Sequence, residues 1–323
     1  MANEIGGYFE LELPKGKEYH NNAIALNSGR NCLIYTLKAY GIQKLFYPYF
    51  SCESMLYAIK RYYPEVEINF YHVDKFLNPI LDSPLDSETW LLYINYYGIC
   101  TELFSSLSQK TIIDNSQSFF SKPVKDHPTF YSPRKFFGVP DGGYLYLEQN
   151  NSTLLERELS YQRSSHLLKR IDLSASEGFA DFKEAELIIA EQPVRNMSKL
   201  THRILASIDY DFVIHKRKIN FSYLHKYLNK KNRISEKISL LEKSGNFVPF
   251  IYPLMISNGI KLRQQLINKN IYIPKYWPSD LLDFEKLSSN EQDFVNNLLP
   301  LPIDQRYNQE DMDRILGVID GKI

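Results

Sequence analysis

The stretch Thr111 to Tyr144, TIIDNSQSFFSKPVKDHPTFYSPRKFFGVPDGGY, carries the residues on which the reading of the whole chain turns. Lys110 to Ile113 is a short apolar run ending on Asp114, the pattern of a buried strand. Pro128 to Tyr131 is a second such run, and it delivers Ser132, Arg134 and Lys135 to a glycine-containing turn. A carboxylate and a lysine at neighbouring strand ends suit pyridoxal phosphate. That cofactor needs a lysine to hold its aldehyde and an acid to keep its ring nitrogen protonated. Taken by themselves, the two residues also fit a plain strand-end carboxylate and a lysine solvated next to Arg134.

Several separate motifs go further. Asp114-Asn115-Ser116-Gln117 resembles the D-x-x-Q block of the DegT/StrS family of sugar aminotransferases. Phe130-Tyr131-Ser132-Pro133-Arg134-Lys135, followed by Asp141-Gly142-Gly143, resembles that family's S-F-x-x-x-K and D/E-G-G block. The family consists of fold-type I pyridoxal phosphate enzymes that aminate keto sugars, usually carried on nucleotides. The resemblance implies that Lys135 is the Schiff-base lysine, that Asp114 partners the pyridine nitrogen, and that Gln117 neighbours the ring or its hydroxyl. The family's phosphate-binding serine, five residues before the lysine, falls on Phe130, which leaves Ser132 or Thr129 to replace it.

Upstream, Ala23 to Leu26 runs into Asn27-Ser28-Gly29-Arg30-Asn31, and Cys32, Leu33, Leu37 and Tyr40 then recur at helical spacing before Gly41. A small turn opening a helix exposes N–H groups and the positive end of the dipole, so it can be either a plain N-cap or a seat for a phosphate. By resemblance to the family's S-G-T, Ser28 and Gly29 match. Arg30 stands for the threonine, either clamping the phosphate or facing solvent. Lys44 to Tyr47 reads as a strand, followed by a helix marked by Met55, Ile59 and Tyr62. The family's ring-stacking aromatic after this strand aligns with Cys52, which makes Tyr49 and Phe50 the candidates for stacking or, equally, core aromatics.

Glu67 to Val73 and Thr89 to Ile94 are further strands. Asn95-Tyr96-Tyr97-Gly98 resembles the family's H-L-Y-G. Gly142 to Leu147 returns as a strand, after which Leu154 to Leu168 and Ile171 to Glu191 read as helical. Val194-Arg195-Asn196-Met197-Ser198-Lys199-Leu200 resembles N-Y-R-M-S-E-L, the segment that implies reach across a dimer to the neighbouring phosphate. Arg195 and Asn196 would do that work from shifted places. A long helix is expected from Ile204 to Leu228, a strand from Phe247 to Ile256, and helices from Gly259 to Asn268 and Gln309 to Ile319, the last capped by Asn308. Asn270 to Pro278 and Leu298 to Tyr307 resemble the family's C-terminal motifs, with Tyr276 where a histidine is common.

Composition sets the limits. The 323 residues carry 38 Lys and Arg against 38 Asp and Glu, so no basic excess points to nucleic acid, and small molecules are the expected partners. The first twenty residues lack the apolar core of a secretory signal and no apolar run is long enough for a bilayer, so a cytoplasmic protein without a membrane partner is expected. Cys32, Cys52 and Cys100 fit neither a disulfide framework nor a zinc site, and the seven histidines never fall at ligand spacing. No G-x-S-x-G, Walker or G-x-G-x-x-G motif occurs.

The expected architecture is α/β and fold-type I aminotransferase-like. It has a mostly parallel central sheet flanked by helices, a large cofactor-binding domain over residues 1–214 and a smaller α/β C-terminal domain over 215–323. The resemblance implies a homodimeric aminotransferase using pyridoxal 5'-phosphate to move an amino group, from glutamate, to a nucleotide-linked keto sugar. Two alternatives stay open: another pyridoxal phosphate reaction such as elimination, and a non-catalytic or regulatory binding protein on the same fold.

Overall fold

Alternating apolar runs of period two and period 3.6 become alternating strands and helices. The computed structural model describes residues 5–81, 83–101, 104, 107, 110–148, 154–277 and 284–321. The first part comprises β1 (Ile24–Leu26), α1 (Gly29–Tyr40), β2 (Lys44–Pro48), α2 (Glu53–Tyr62), β3 (Glu67–Val73), β4 (Pro79–Ile80), β5 (Thr89–Ile94), β6 (Thr111–Asp114), β7 (Thr129–Tyr131) and β8 (Gly143–Tyr146). These strands form one sheet in the order β1-β8-β7-β6-β5-β2-β3-β4. From β7 to β3 the pairing is parallel, and β8 runs antiparallel to both β7 and β1.

β5 and β6 are buried at every residue, as strands covered on both faces must be, and their sequences accordingly read as continuous apolar runs. Parallel pairing also brings the C-terminal ends of β2, β5, β6 and β7 to one edge of the sheet. There the loops beginning at Asn95, Asp114 and Ser132 meet, the place where open α/β sheets bind ligands.

The middle of the chain departs from expectation. Residues 154–164 are not helical apart from a short turn at Tyr161–Arg163, and α3 spans only Ser165–Asp172. The backbone there is committed elsewhere, because the Glu158 N–H donates to Asn196 O at 2.9 Å and Arg157 pairs with Asn196. After α4 (Phe179–Glu191), the single long helix expected to start at Ile204 is two, α5 (Lys199–Ala206) and α6 (Tyr210–Leu228). Asp209 makes the break, its carboxylate capping the Phe212 N–H at 2.9 Å and so founding a new helix start.

The rest comprises α7 (Ser235–Lys243), β9 (Tyr252–Met255), α8 (Gly259–Asn268), α9 (Ser289–Asn297), β10 (Leu298–Leu301) and α10 (Gln309–Ile319). β9 and β10 pair antiparallel. Phe221, Leu224 and Leu228 of α6 pack with Leu254, Leu299, Leu301 and Ile315 in a second apolar core. Residue 215 lies inside α6, whose Val213 belongs to the core of the large sheet. No helix of the described residues is long and apolar enough to cross a membrane. Among the described residues no cluster of three His, Cys, Asp or Glu side chains is placed to hold a metal.

Candidate active site

β6 and β7 pair in parallel with Asp114 opposite Phe130, so the carboxylate and the turn five residues beyond Phe130 emerge at the same edge. Asp114 is 4% exposed, and its Oδ1 accepts the Ser116 N–H at 2.7 Å. Burial pushes the Asp114 carboxyl up from its ordinary value, against the opposing charge of Lys135 and hydrogen bonding from Ser116. Lys135 ends the short helical turn Pro133–Lys135 and is exposed. Its ammonium is therefore both open to solvent and within electrostatic reach of a buried carboxylate.

Gln117 sits beside them, buried. Its Oε1 accepts the Tyr97 N–H at 2.6 Å, while its Nε2 is buried without a partner. Such a donor costs free energy unless something accepts from it. Tyr97 adopts a left-handed conformation (φ 54°), and the Asn95–Gly98 turn packs against Gln117 and Ser118.

The helix start of α1 forms another wall. Ser28 Oγ accepts the Asn31 N–H at 3.1 Å, the N-cap pattern that the sequence anticipates. A Cβ on Gly29 would lie 3.4 Å from Ser116 Oγ, 3.5 Å from Ser132 Cβ and 3.8 Å from Phe130 Cδ2. Ser28, Gly29, Ser116 and Ser132 are therefore gathered at one point, and the Phe130 ring stands among them.

Other expected residues lie elsewhere. Arg30 neither faces bulk solvent nor stands free: its Nη1 donates to the Ile189 and Ala190 carbonyls at 3.3 Å, at the C-terminal end of α4, where a cation complements the dipole. Burial, chiefly, holds its pKa below the ordinary arginine value. Tyr49 is stacked on Phe70 and His72, at 4.7 and 4.6 Å between ring centres. Phe50 is buried against Tyr96, Trp277 and Phe294. Both aromatics are thus held by other rings, the core packing that their sequence equally allowed. The Asn196 side chain donates to Leu155 O of its own chain at 2.9 Å. Pro278, the last residue of the 270–278 motif, lies outside the described residues.

Asp141 has a role that motif reading does not disclose. The carboxylate, fully buried, accepts the Ser198 N–H at 2.9 Å and Ser198 Oγ at 2.7 Å, together with Thr201 Oγ1. The acid of the D-G-G motif therefore anchors the start of α5 and the segment that precedes it. Gly143 sits so close to the α1 turn that a Cβ there would lie 2.5 Å from Ser28 C and O and 2.7 Å from Gly29 N. The two motifs, D-G-G and S-G-R, are one packed unit.

Among solved structures, the chain is similar to a DegT/DnrJ/EryC1/StrS aminotransferase from Brucella abortus, with 17% identity and a TM-score of 0.60 over 93% of this chain and 85% of that one. The fold is that of the DegT/StrS aminotransferases. Sugar aminotransferase CalS13 from Micromonospora echinospora is similar at 12% identity and a TM-score of 0.63, covering 94% of this chain and 88% of its own. Helicobacter pylori PseC, an aminotransferase involved in the biosynthesis of pseudoaminic acid, gives 15% identity and a TM-score of 0.59 over 93% and 86%. At these identities the likeness is one of fold. No protein-family model matches the sequence, and no curated protein matches it.

Within that fold the residues at the sheet edge fit pyridoxal phosphate. A buried carboxylate at the end of β6, a lysine on the adjacent turn whose charge it feels, and the unpartnered amide of Gln117 suit the ring, and the hydroxyls of Ser116 and Ser132 beside the start of α1 suit the phosphate.

Proposed function

We propose that this chain is a pyridoxal phosphate-dependent aminotransferase that transfers an amino group from glutamate to a nucleotide-linked keto sugar, in the cytoplasm and as a two-fold homodimer. The observation that carries the reading is the buried Asp114 carboxylate held under the charge of Lys135 at one edge of a DegT/StrS-type sheet. When bound, pyridoxal phosphate supplies the electron sink that amino transfer requires. Asp114 holds the proton on the ring nitrogen, its own burial being offset by that cation. Lys135 Nζ would hold the cofactor, and its free amine would serve as the base at the donor's α carbon. Gln117 Nε2 donates to a ring substituent, and Ser132 with the start of α1 receives the phosphate. Arg195 and Asn196 lie in the segment that reaches the partner subunit in this reading.

A second reading, a non-catalytic binding protein on the same fold, draws support from Phe130, whose ring stands at Gly29 where a serine would serve a phosphate. One experiment separates the two. Purified protein is loaded with the cofactor, reduced with borohydride and mapped, and a parallel sample is treated with glutamate alone. Label on Lys135 and conversion of the cofactor to its amine form with release of 2-oxoglutarate are expected. Tight binding with no conversion by glutamate, glutamine or aspartate would hand the case to the binding protein.

A further inference from the structure

The turn that carries Lys135 is tied down from outside at the Arg134 side chain, which pairs with Glu186 of α4, and at one backbone carbonyl. Inside the turn, the Lys135 N–H donates to Ser132 O at 3.3 Å, and the Phe136 and Phe137 N–H groups both donate to Pro133 O at 2.9 Å. The carbonyl leaving the turn, Phe136 O, accepts from Gln305 Nε2 at 2.9 Å and from Arg217 Nη2 at 3.4 Å. The Arg217 guanidinium also lies over the Phe136 ring, 4.6 Å from its centre. Nothing among the described residues hydrogen-bonds Lys135 Nζ, so the backbone is what sets where this side chain begins.

Arg217 is an expensive way to do this. It is 1% exposed, and burial pushes its pKa down to about 10, with the charge of Asp304 opposing. Its remaining bonds go to Phe250 O at 2.9 Å, Pro249 O at 3.2 Å and Gln305 Oε1 at 3.1 Å. Those partners lie in the segment before β9 and the segment before α10. A buried guanidinium costs several kcal/mol unless its donors are satisfied, and here they are satisfied by joining the C-terminal part to the residue after the lysine.

We infer that Arg217 and Gln305 are positioning residues for Lys135, acting through the Phe136 carbonyl and making the placement of its amine depend on the C-terminal part of the chain. The inference rests on the reading of Lys135 given above. It concerns covalent capture by the amine, not the seat for ring and phosphate.

The test compares two ligands by fluorescence titration: pyridoxal 5'-phosphate, and 4'-deoxypyridoxine 5'-phosphate, which has the same ring and phosphate but a methyl in place of the aldehyde. Gln305→Glu keeps an acceptor for Arg217 Nε and replaces the donor to Phe136 O with a carboxylate oxygen that repels that carbonyl, and Arg217→Lys keeps the charge and removes the fork. In both variants the preference for the aldehyde ligand should fall about ten-fold, the value of one lost charge-assisted or buried hydrogen bond. Affinity for the deoxy ligand should stay within about two-fold, below the cost of a single lost hydrogen bond. If Arg217→Lys does not fold, Gln305→Glu decides alone. An unchanged preference, or equal weakening of both ligands, would overturn the inference and leave the two residues merely structural. No aldehyde preference in the unaltered chain would overturn the aminotransferase reading, and the inference with it.

Discussion

Replacing Gly143 with alanine should shift the α1 helix start and weaken whatever binds there, and the size of the shift follows from the packing. A Cβ at Gly143 would lie 2.5 Å from Ser28 C and O, where real Cβ contacts stay above 3.0 Å, so the backbones must part by at least 3.0 − 2.5 = 0.5 Å. The obstructing atoms are main chain and cannot swing aside. Neighbouring pairings resist the motion: Gly143 pairs with Leu26, and the Gly142 N–H donates to Asn27 O at 2.8 Å. Overpacking of this kind costs about 1–3 kcal/mol. Gly138→Ala is the control, since its Cβ would meet only Leu167 Cδ2 at 3.5 Å; its effect should stay within about 0.5 kcal/mol. Urea unfolding of the empty protein measures both changes, and titration with pyridoxal phosphate should show weaker binding for Gly143→Ala alone. A Gly143→Ala protein with the parent's unfolding midpoint and affinity would refute the claim that this contact holds the helix start in place.

Asp114→Asn should abolish amino transfer yet stabilise the empty protein at neutral pH. Folding raises this carboxyl's pKa, so its stabilising contribution is present in acid and lost as pH rises through the folded value; the advantage of Asn should therefore shrink as pH falls through that value and be gone below about pH 4. Denaturant midpoints at the two pH values check the sign, and an Asn variant less stable at neutral pH would sink it. Asp141→Ala strands the Ser198 N–H and the Thr201 hydroxyl, and should cost about 2–4 kcal/mol while raising amide exchange at the start of α5. Exchange unchanged from the parent would show that the anchor is dispensable.

Much of the sheet was legible because its strands are either fully buried or cleanly bounded. Glu67–Val73 and Thr89–Ile94 coincide with their expected limits. So does α10, whose Asn308 and Asp311 exchange side-chain-to-backbone bonds at 3.2 and 2.9 Å. The same signal was available for α9, where Ser288 and Glu291 form a capping box ahead of Phe294 and Val295. β10 was obscured by Pro300, a residue that ordinarily argues against a strand. Residues 154–164 misled because Leu155 and Leu159 recur at helical spacing in a polar run, while the actual fate of their backbone is set by pairing with Asn196, some forty positions away. Periodicity cannot register a partner so distant. For the same reason spacing could place Tyr49 and Phe50 after β2 but could not say which rings they would meet.

Several departures from the DegT/StrS motifs fall at the proposed phosphate end of the candidate site. Asp114, Gln117 and Lys135 retain their motif positions and share one sheet edge, whereas Phe130 puts hydrocarbon at Gly29, Arg30 is committed to the α4 carbonyls, and Asn196 is committed to Leu155. What remains for an anion is neutral: the N–H groups at the start of α1 other than that of Asn31, which Ser28 Oγ accepts, and the hydroxyl of Ser132. Neutral donors contribute only about 1 kcal/mol each in net terms, so an anion held there leans on their joint alignment with the helix dipole. Alignment is a matter of tenths of an ångström. A seat of this kind depends on the rigid placement of α1 more than one built around a free arginine would, and that placement is what the contact of Gly143 with Ser28 and Gly29 secures.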